Sequence, residues 1–230
     1  MISMKILIIA DIHGYSKKIS KFFDKLIIDD VDLIICPGDF TDMFNTPPGF
    51  TQEDVAEMII QKLLSFNKPL FCVPGNLDPY EILVIFDEYG VNLHNKVRIF
   101  KNLSFVGWGG AETPFRTNIE PTEEETKEAL SNLEKQIKND FVLVLHNPPK
   151  NTKLDKIESG QHVGSLEARK FIERKQPLLV ISAHIHERQG VDYIGKTMIF
   201  YPGPFFEGNY GIVKIEEGKI KWEILNAKKQ

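Results

Sequence analysis

Met4-Lys5-Ile6-Leu7-Ile8-Ile9-Ala10-Asp11-Ile12-His13-Gly14 is the stretch that decides the fold. No polar residue interrupts Ile6 to Ala10, so the run predicts a strand buried on both faces, the kind that parallel sheets use. It breaks at Asp11-Ile12-His13-Gly14. In extended chain, a carboxylate and an imidazole two positions apart point to the same side. At a strand's C-terminal end, that side is the crevice where open α/β sheets bind ligands. A polar strand end before a glycine turn reads the same way in isolation. The question is whether other strands end in matching groups.

They do. Ser16 is placed to cap a helix carrying Ile19, Phe22, Phe23, Leu26 and Ile27, with Lys17, Lys18, Lys21 and Lys25 outside. Residues 31–36 form a second buried strand, closed by Pro37-Gly38-Asp39. Strand, helix and strand in this order imply a right-handed crossover and a parallel sheet. Residues 42–50 are a loop, and Thr51 with Asp54 forms a capping box for the next helix. Residues 69–73 make a third strand, closed by Pro74-Gly75-Asn76. In both Pro-Gly endings, Pro stops the ladder, Gly permits φ > 0, and an oxygen ligand follows.

A short helix is predicted over residues 79–89, and a hairpin turning at Lys101-Asn102 opens a second, mixed sheet. Residues 112–120 lack periodicity and read as a surface excursion, after which Thr122 and Glu125 cap another helix. The buried strand 141–145 ends in His146, and the strand 178–182 leads to Ala183-His184-Ile185-His186. A helix around residues 166–173 separates them, and antiparallel strands fill the tail.

Five strands thus end in Asp11 and His13, Asp39, Asn76, His146, then His184 and His186. Four imidazoles at strand ends beside two carboxylates point to a mixed nitrogen and oxygen metal cluster. Seven ligands exceed one tetrahedral ion, whereas two ions ~3.5–4 Å apart sharing a carboxylate would use them.

The bulk numbers are compatible with this. The 230 residues are read as a single domain, 1–230, with 42% hydrophobic and 26% charged residues and a net charge of −4. That balance, with no basic or aromatic tract, argues against nucleic acid as a partner. Cys36 and Cys72 sit in apolar runs and read as core thiols in a reducing compartment. With no signal peptide and no segment of ~20 apolar residues, the expected location is cytoplasmic, with no membrane partner. The sequence does not set the oligomeric state.

Asp11-x-His13, Gly38-Asp39-x-x-Asp42, Gly75-Asn76-x-Asp78, His146 and His184-x-His186, in that order, resemble the calcineurin-like metallophosphoesterases. The resemblance implies an α/β fold, a four-layer α/β/β/α sandwich with two facing mixed sheets. It implies that Asp11, His13, Asp39 and His186 hold one divalent ion and that Asp39, Asn76, His146 and His184 hold the other, with Asp39 bridging. Asp42 and Asp78 would orient those ligands, although both also read as turn caps. The ligand set suits Mn, Fe, Zn, Ni or Co, with availability deciding among them, and Mn is the expected metal.

The implied activity is hydrolysis of small-molecule phosphate esters by hydroxide generated from metal-bound water, whose pKa falls to ~7. Asp39, Asn76 and His162 are the candidate catalytic residues, and Asn76 and His162 are also candidates for contacting substrate. His162 lies in a Gly-flanked loop before a helix whose N-terminus suits a phosphate; an ordinary capping segment is the plainer reading. Two positions depart from the family. Leu77 stands where many members carry a histidine thought to protonate the leaving oxygen, and Ala183 replaces the usual Gly. Leu77 therefore favours phosphodiesters or activated monoesters. It also sustains the rival reading, a non-catalytic protein-binding scaffold on the same fold. Phe205, Phe206 and Tyr210 read as core rather than pocket, and His94 as a surface or loop histidine.

Overall fold

The computed structural model describes residues 3–229. In chain order its elements are β1 (Ser3–Ile8), α1 (Lys17–Phe23), β2 (Leu33–Cys36), α2 (Gln52–Leu64), β3 (Leu70–Cys72), α3 (Ile82–Glu88), β4 (Lys96–Phe100) and β5 (Leu103–Trp108). Then come α4 (Glu123–Glu134), β6 (Phe141–Leu145), α5 (Leu166–Lys175), β7 (Leu179–Ile181), β8 (Gly190–Ile194), β9 (Thr197–Tyr201), a 3₁₀ turn (Phe205–Glu207), β10 (Asn209–Glu216) and β11 (Lys219–Asn226).

Two mixed sheets face each other. One runs β11-β10-β1-β2-β3 and the other β4-β5-β6-β7-β9-β8. In the first, β1, β2 and β3 are parallel; in the second, β5, β6, β7 and β9 are. Side chains alternate across each strand, so Ile6, Ile8, Leu33 and Ile35 meet Phe105, Val142, Val144 and Ile181 in the layer between the sheets. Leu7, Ile9 and Ile34 face outward against Phe23, Ile59 and Phe86. On the far side, Leu143, Leu145 and Val180 pack against Leu130, Leu133 and Phe171. The result is the four-layer α/β/β/α sandwich. Both faces of every central strand are covered, which is why these runs carry no alternating polar residue.

Capping follows the sequence signals. Ser16 accepts from Ile19 N, and Thr51–Asp54 and Thr122–Glu125 are complete capping boxes. The helix after Ser16 is shorter than expected. Lys25 N and Leu26 N bond three residues back, to Phe22 and Phe23, so the last turn tightens instead of carrying the helix to Ile27. The tail pairs antiparallel within its hairpins as expected, but β9 also lies parallel to β7, and the tail divides. The β8–β9 hairpin joins the second sheet, while β10 returns to lie antiparallel beside β1 with β11 outside it. Among the described residues, no helix is long and apolar enough to cross a membrane.

Candidate metal centre

Parallel strands place their C-terminal ends on one rim, and the loops leaving β1, β2, β3, β6 and β7 meet there. The β1 loop does not arrive by the extended route expected for Asp11 and His13. Both have left-handed backbone, with φ of 51° and 52°. Turned this way, Asp11 N donates to Gly38 O, while Ile12 N and His13 N both donate to Asp39 O. Asp39 (φ 52°) and His184 (φ 77°) share the conformation. It strains a residue with a Cβ, and such strain persists only where surrounding bonds hold it.

Two groups of ligand atoms result, each with its members within 4.8 Å of one another: Asp11, His13, Asp39 and His186, then Asp39, His146 and His184. Asp39 belongs to both. Its Oδ2 lies 3.6 Å from His13 Nε2 and 3.4 Å from His146 Nε2, while its Oδ1 accepts from Leu77 N at 2.9 Å. Asn76 joins the second group, with Oδ1 3.0 Å from His146 Nε2 and its amide donating to Thr117 Oγ1. His13 Nε2 and His186 Nε2 approach to 3.2 Å. The structure thus brings together all seven residues that the sequence placed at strand ends.

The donor chemistry fits divalent cations. Asp11 and Asp39 are buried, and their ion-pair partners among the described residues are imidazoles, never Lys or Arg. Two buried carboxylates need positive charge beside them, which in the bare chain only protonated imidazoles provide and which bound cations would supply in their place. The proton balance reflects this. Burial would raise Asp39, but the neighbouring His146 and His13 hold it well below the carboxylate range. Burial would lower His146, yet Asp39 and Asp11 lift it to about 9. Burial, reinforced by His146, pushes His184 down to about 3.

The supporting contacts are specific. His146 Nδ1 donates to Pro37 O at 2.8 Å, leaving Nε2 turned to the cluster. Tyr201 donates its hydroxyl to Asp11 Oδ2 at 2.7 Å. Asp78 accepts from Thr41 N, Thr41 Oγ1, Phe40 N and Gly75 N, tying the β2 and β3 loops together. Burial and the nearby Asp39 charge raise Asp78 to about 7. The two glycines of the Pro-Gly endings act differently. Gly38 has φ +108°, but Gly75 does not need a positive φ; it is there because a Cβ would strike Asp39.

Several expectations are corrected. Of the two readings of Asp42, the turn cap is the one the structure bears out: its Oδ1 accepts from Phe44 N at 2.9 Å and shapes its own loop. The N-terminus of α5 already holds an internal carboxylate, since Glu123 accepts from Leu166 N, Glu167 N and Ser165 Oγ. His162 Nδ1 pairs with Asp155 Oδ1 at 2.7 Å, and its neighbours Gln161 and Val163, rather than its own ring, line the adjacent cavity. His94 lies in the connection between α3 and β4, as the loop reading has it, but is half-buried rather than at the surface. It stacks on Trp108 at 4.7 Å and accepts from Gly109 N. Residues 112–120 are no mere excursion, since Thr117 bonds Asn76 and Pro114 and Phe115 border the cavity. Phe205 and Tyr210 are core, but Phe206 packs edge-on against the His13 and His186 rings, 5.1 Å from each.

Sequence reasoning missed Tyr201, Thr117 and the Phe206 wall. Tyr201 could have been found: it ends an apolar run before Pro202-Gly203-Pro204, the same punctuation that marks Asp39 and Asn76. Thr117 carries no comparable local signal, and Phe206, which follows the same Pro-Gly-Pro stretch, read as core.

Asp39, Asn76, Leu77, His184 and His186 floor a cavity of about 730 Å³. Its size suits a small molecule.

Comparison with known proteins agrees with this architecture. The chain is 38% identical over 208 residues, 87% of its length and 88% of the relative's, to the uncharacterized protein MJ1162 of Methanocaldococcus jannaschii. The crystal structure of TT1561 from Thermus thermophilus shares the fold with a TM-score of 0.73 and 20% identity, covering 98% of this chain and 100% of that one. GAP50, described as the anchor in the inner membrane complex of Plasmodium, shares it at TM-score 0.66 and 14% identity, covering 100% and 86%. The profile of the calcineurin-like phosphoesterases matches residues 4–188, and the chain belongs to that family.

Proposed function

We propose that this protein is a metal-dependent hydrolase of small-molecule phosphate esters working at a dinuclear site, with phosphodiesters and activated monoesters as its preferred substrates. The observation that carries the reading is Asp39, common to two ligand groups and turned so that one carboxylate oxygen faces an imidazole of each. In this reading Asp11, His13, Asp39 and His186 hold one ion and Asp39, Asn76, His146 and His184 the other, with Mn foremost. The chemistry such cations supply when bound is charge neutralisation at phosphorus and activation of water. The chain's own contribution is orientation. The Pro37 carbonyl fixes the His146 ring and Tyr201 fixes the Asp11 carboxylate. Asn76, at the cavity floor, would complete the second group and is the candidate to contact a bound phosphate. His162, clasped to Asp155, holds the loop that carries Gln161 and Val163.

Leu77 lines the cavity where a proton donor would serve a poor leaving group. An alkoxide leaves slowly unprotonated, whereas a phenolate does not, so the preference for activated esters follows. Leu77 also supports the alternative, a protein-binding scaffold, and the anchor described for the GAP50 neighbour is compatible with it. The discriminating experiment is hydrolysis of bis-p-nitrophenyl phosphate and p-nitrophenyl phosphate with added Mn²⁺. The expected result is turnover of the diester that is abolished by chelator and by Asp39→Asn. No turnover with Mn, Fe, Zn, Ni or Co would favour the scaffold.

A further inference from the structure

Two exposed phenylalanines flank the cavity above the ligand cluster. Phe44 is 70% exposed and Phe115 is 74% exposed, and they come from unrelated loops, one after β2 and one after β5. Both are held by the same device. Asp42 Oδ1 accepts from Phe44 N at 2.9 Å, and Thr113 Oγ1 accepts from Phe115 N at 3.1 Å. The second loop is anchored to the site itself, because Thr113 and Thr117 both donate to Glu120, and Thr117 accepts from Asn76. Each ring therefore sits on a turn of fixed shape beside the proposed reaction centre. Single exposed apolar residues need no explanation, but two converging on one concavity do.

The remaining wall sharpens the chemistry. Leu77, Pro114, Ile157 and Val163 continue the apolar surface. The charged groups at the rim are Glu112, Glu158 and Glu187, and no Lys or Arg is among the described residues lining the cavity. The cavity thus offers aromatic faces and negative potential, and the cations that its floor would hold would supply the positive charge. An anion away from that floor meets repulsion with no counter-charge.

Resting on the proposed hydrolase reading, we infer that the substrate is a phosphodiester whose non-leaving substituent is an aromatic ring without a second anionic group, received between Phe44 and Phe115. The phosphate's single negative charge goes to the cluster and the ring to the apolar wall. Polyphosphates and nucleic acid strands are excluded by the same charge pattern.

The test compares three diesters that share one leaving group: the phenyl, methyl and 4-carboxyphenyl esters of p-nitrophenyl phosphate, with the Mn²⁺-loaded protein. In each, one water is consumed, the P–O bond to p-nitrophenol breaks, and the other ester bond stays. The expected kcat/KM for the phenyl ester exceeds that of the methyl and carboxyphenyl esters by about tenfold or more. In Phe44→Ala and Phe115→Ala, the phenyl-to-methyl ratio falls toward one. Calorimetric binding of phenylphosphonate and methylphosphonate gives the same comparison without turnover. Preferential phenylphosphonate binding that both substitutions weaken supports the subsite even if no ester is hydrolysed, in which case the hydrolase reading alone fails. Equal constants for phenyl and methyl compounds, or a ratio that survives both substitutions, overturn the subsite while leaving hydrolysis intact. Equal turnover of the phenyl and carboxyphenyl esters overturns the exclusion of a second anion.

Discussion

Gly75 lies so close to Asp39 that a Cβ on it would fall 2.0 Å from the carboxylate oxygen Oδ1 and 2.2 Å from the Asp39 backbone nitrogen. Neither atom is the loose end of a flexible side chain. Asp39 is buried, its Oδ1 already accepts from Leu77 N, and its backbone carries the left-handed turn. Gly75→Ala is therefore expected to push the β3 loop away from the shared carboxylate, destabilising the protein by about 1–3 kcal/mol. Thermal unfolding with and without Mn²⁺ checks this: the rise in Tm produced by the metal should shrink as well. An alanine variant that keeps the full metal-induced rise would show the approach to be dispensable.

Tyr201 acts from the opposite sheet. Its hydroxyl donates to Asp11 Oδ2 at 2.7 Å, and His184 N donates to Asp11 Oδ1 at 3.2 Å, so the carboxylate is held at both oxygens. Tyr201→Phe removes one bond and keeps the ring in its buried position. The expected effect is a loss of Mn²⁺ affinity of about 10–100-fold with the fold retained. Titration calorimetry on the two proteins, with circular dichroism as the control for folding, measures it. Unchanged affinity would mean that the remaining bonds suffice to orient Asp11.

How much of this was legible beforehand depends on the range of the interaction. Asp39 and Asn76 announce themselves because a parallel strand must end, and Pro37-Gly38 and Pro74-Gly75 end it in the same way twice. The capping boxes at Thr51 and Thr122 are equally local. What stayed hidden is set across the fold. Nothing near Glu123 says that it fills the N-terminus of α5, and at Asp42 the local turn-cap signal competes with the ligand-orienting one until the fold separates them. The left-handed turns at Asp11 and His13 depend on bonds to Gly38, Asp39 and Phe40, about 27 residues away by the span of the strand–helix–strand unit. The division of the tail between two sheets is of the same kind, because apolar alternation in β9 and β10 does not state which sheet each will join.

His94 makes stability depend on pH. Burial, helped by the Lys96 charge, lowers it to about 4 from an ordinary value of 6.5. Its Nδ1 must stay unprotonated to accept from Gly109 N at 3.0 Å. The unfolded chain takes up the proton first, so this contribution is complete above pH 6.5 and is lost as pH falls toward 4. The full difference is on the order of 3 kcal/mol. Urea unfolding at intervals between pH 7 and pH 4 should show the loss, and His94→Gln should flatten that part of the curve. A curve of the same slope in the variant would assign the effect to other groups.

Leu77 carries the remaining prediction. Its backbone N–H holds Asp39 Oδ1 while its side chain lines the cavity, so a new side chain there reaches the substrate without disturbing that bond. An imidazole at this position could donate a proton to the departing oxygen. A positioned general acid is worth about 10²–10⁴-fold, but only where the leaving group needs it. Leu77→His is therefore expected to raise turnover of an alkyl phosphate ester relative to its p-nitrophenyl counterpart by about 10²-fold, because p-nitrophenolate departs without protonation. The measurement is the ratio of kcat for the two esters in each protein. If the ratio does not move, the missing proton donor is not what restricts the substrate range, and the preference for activated esters loses its physical basis.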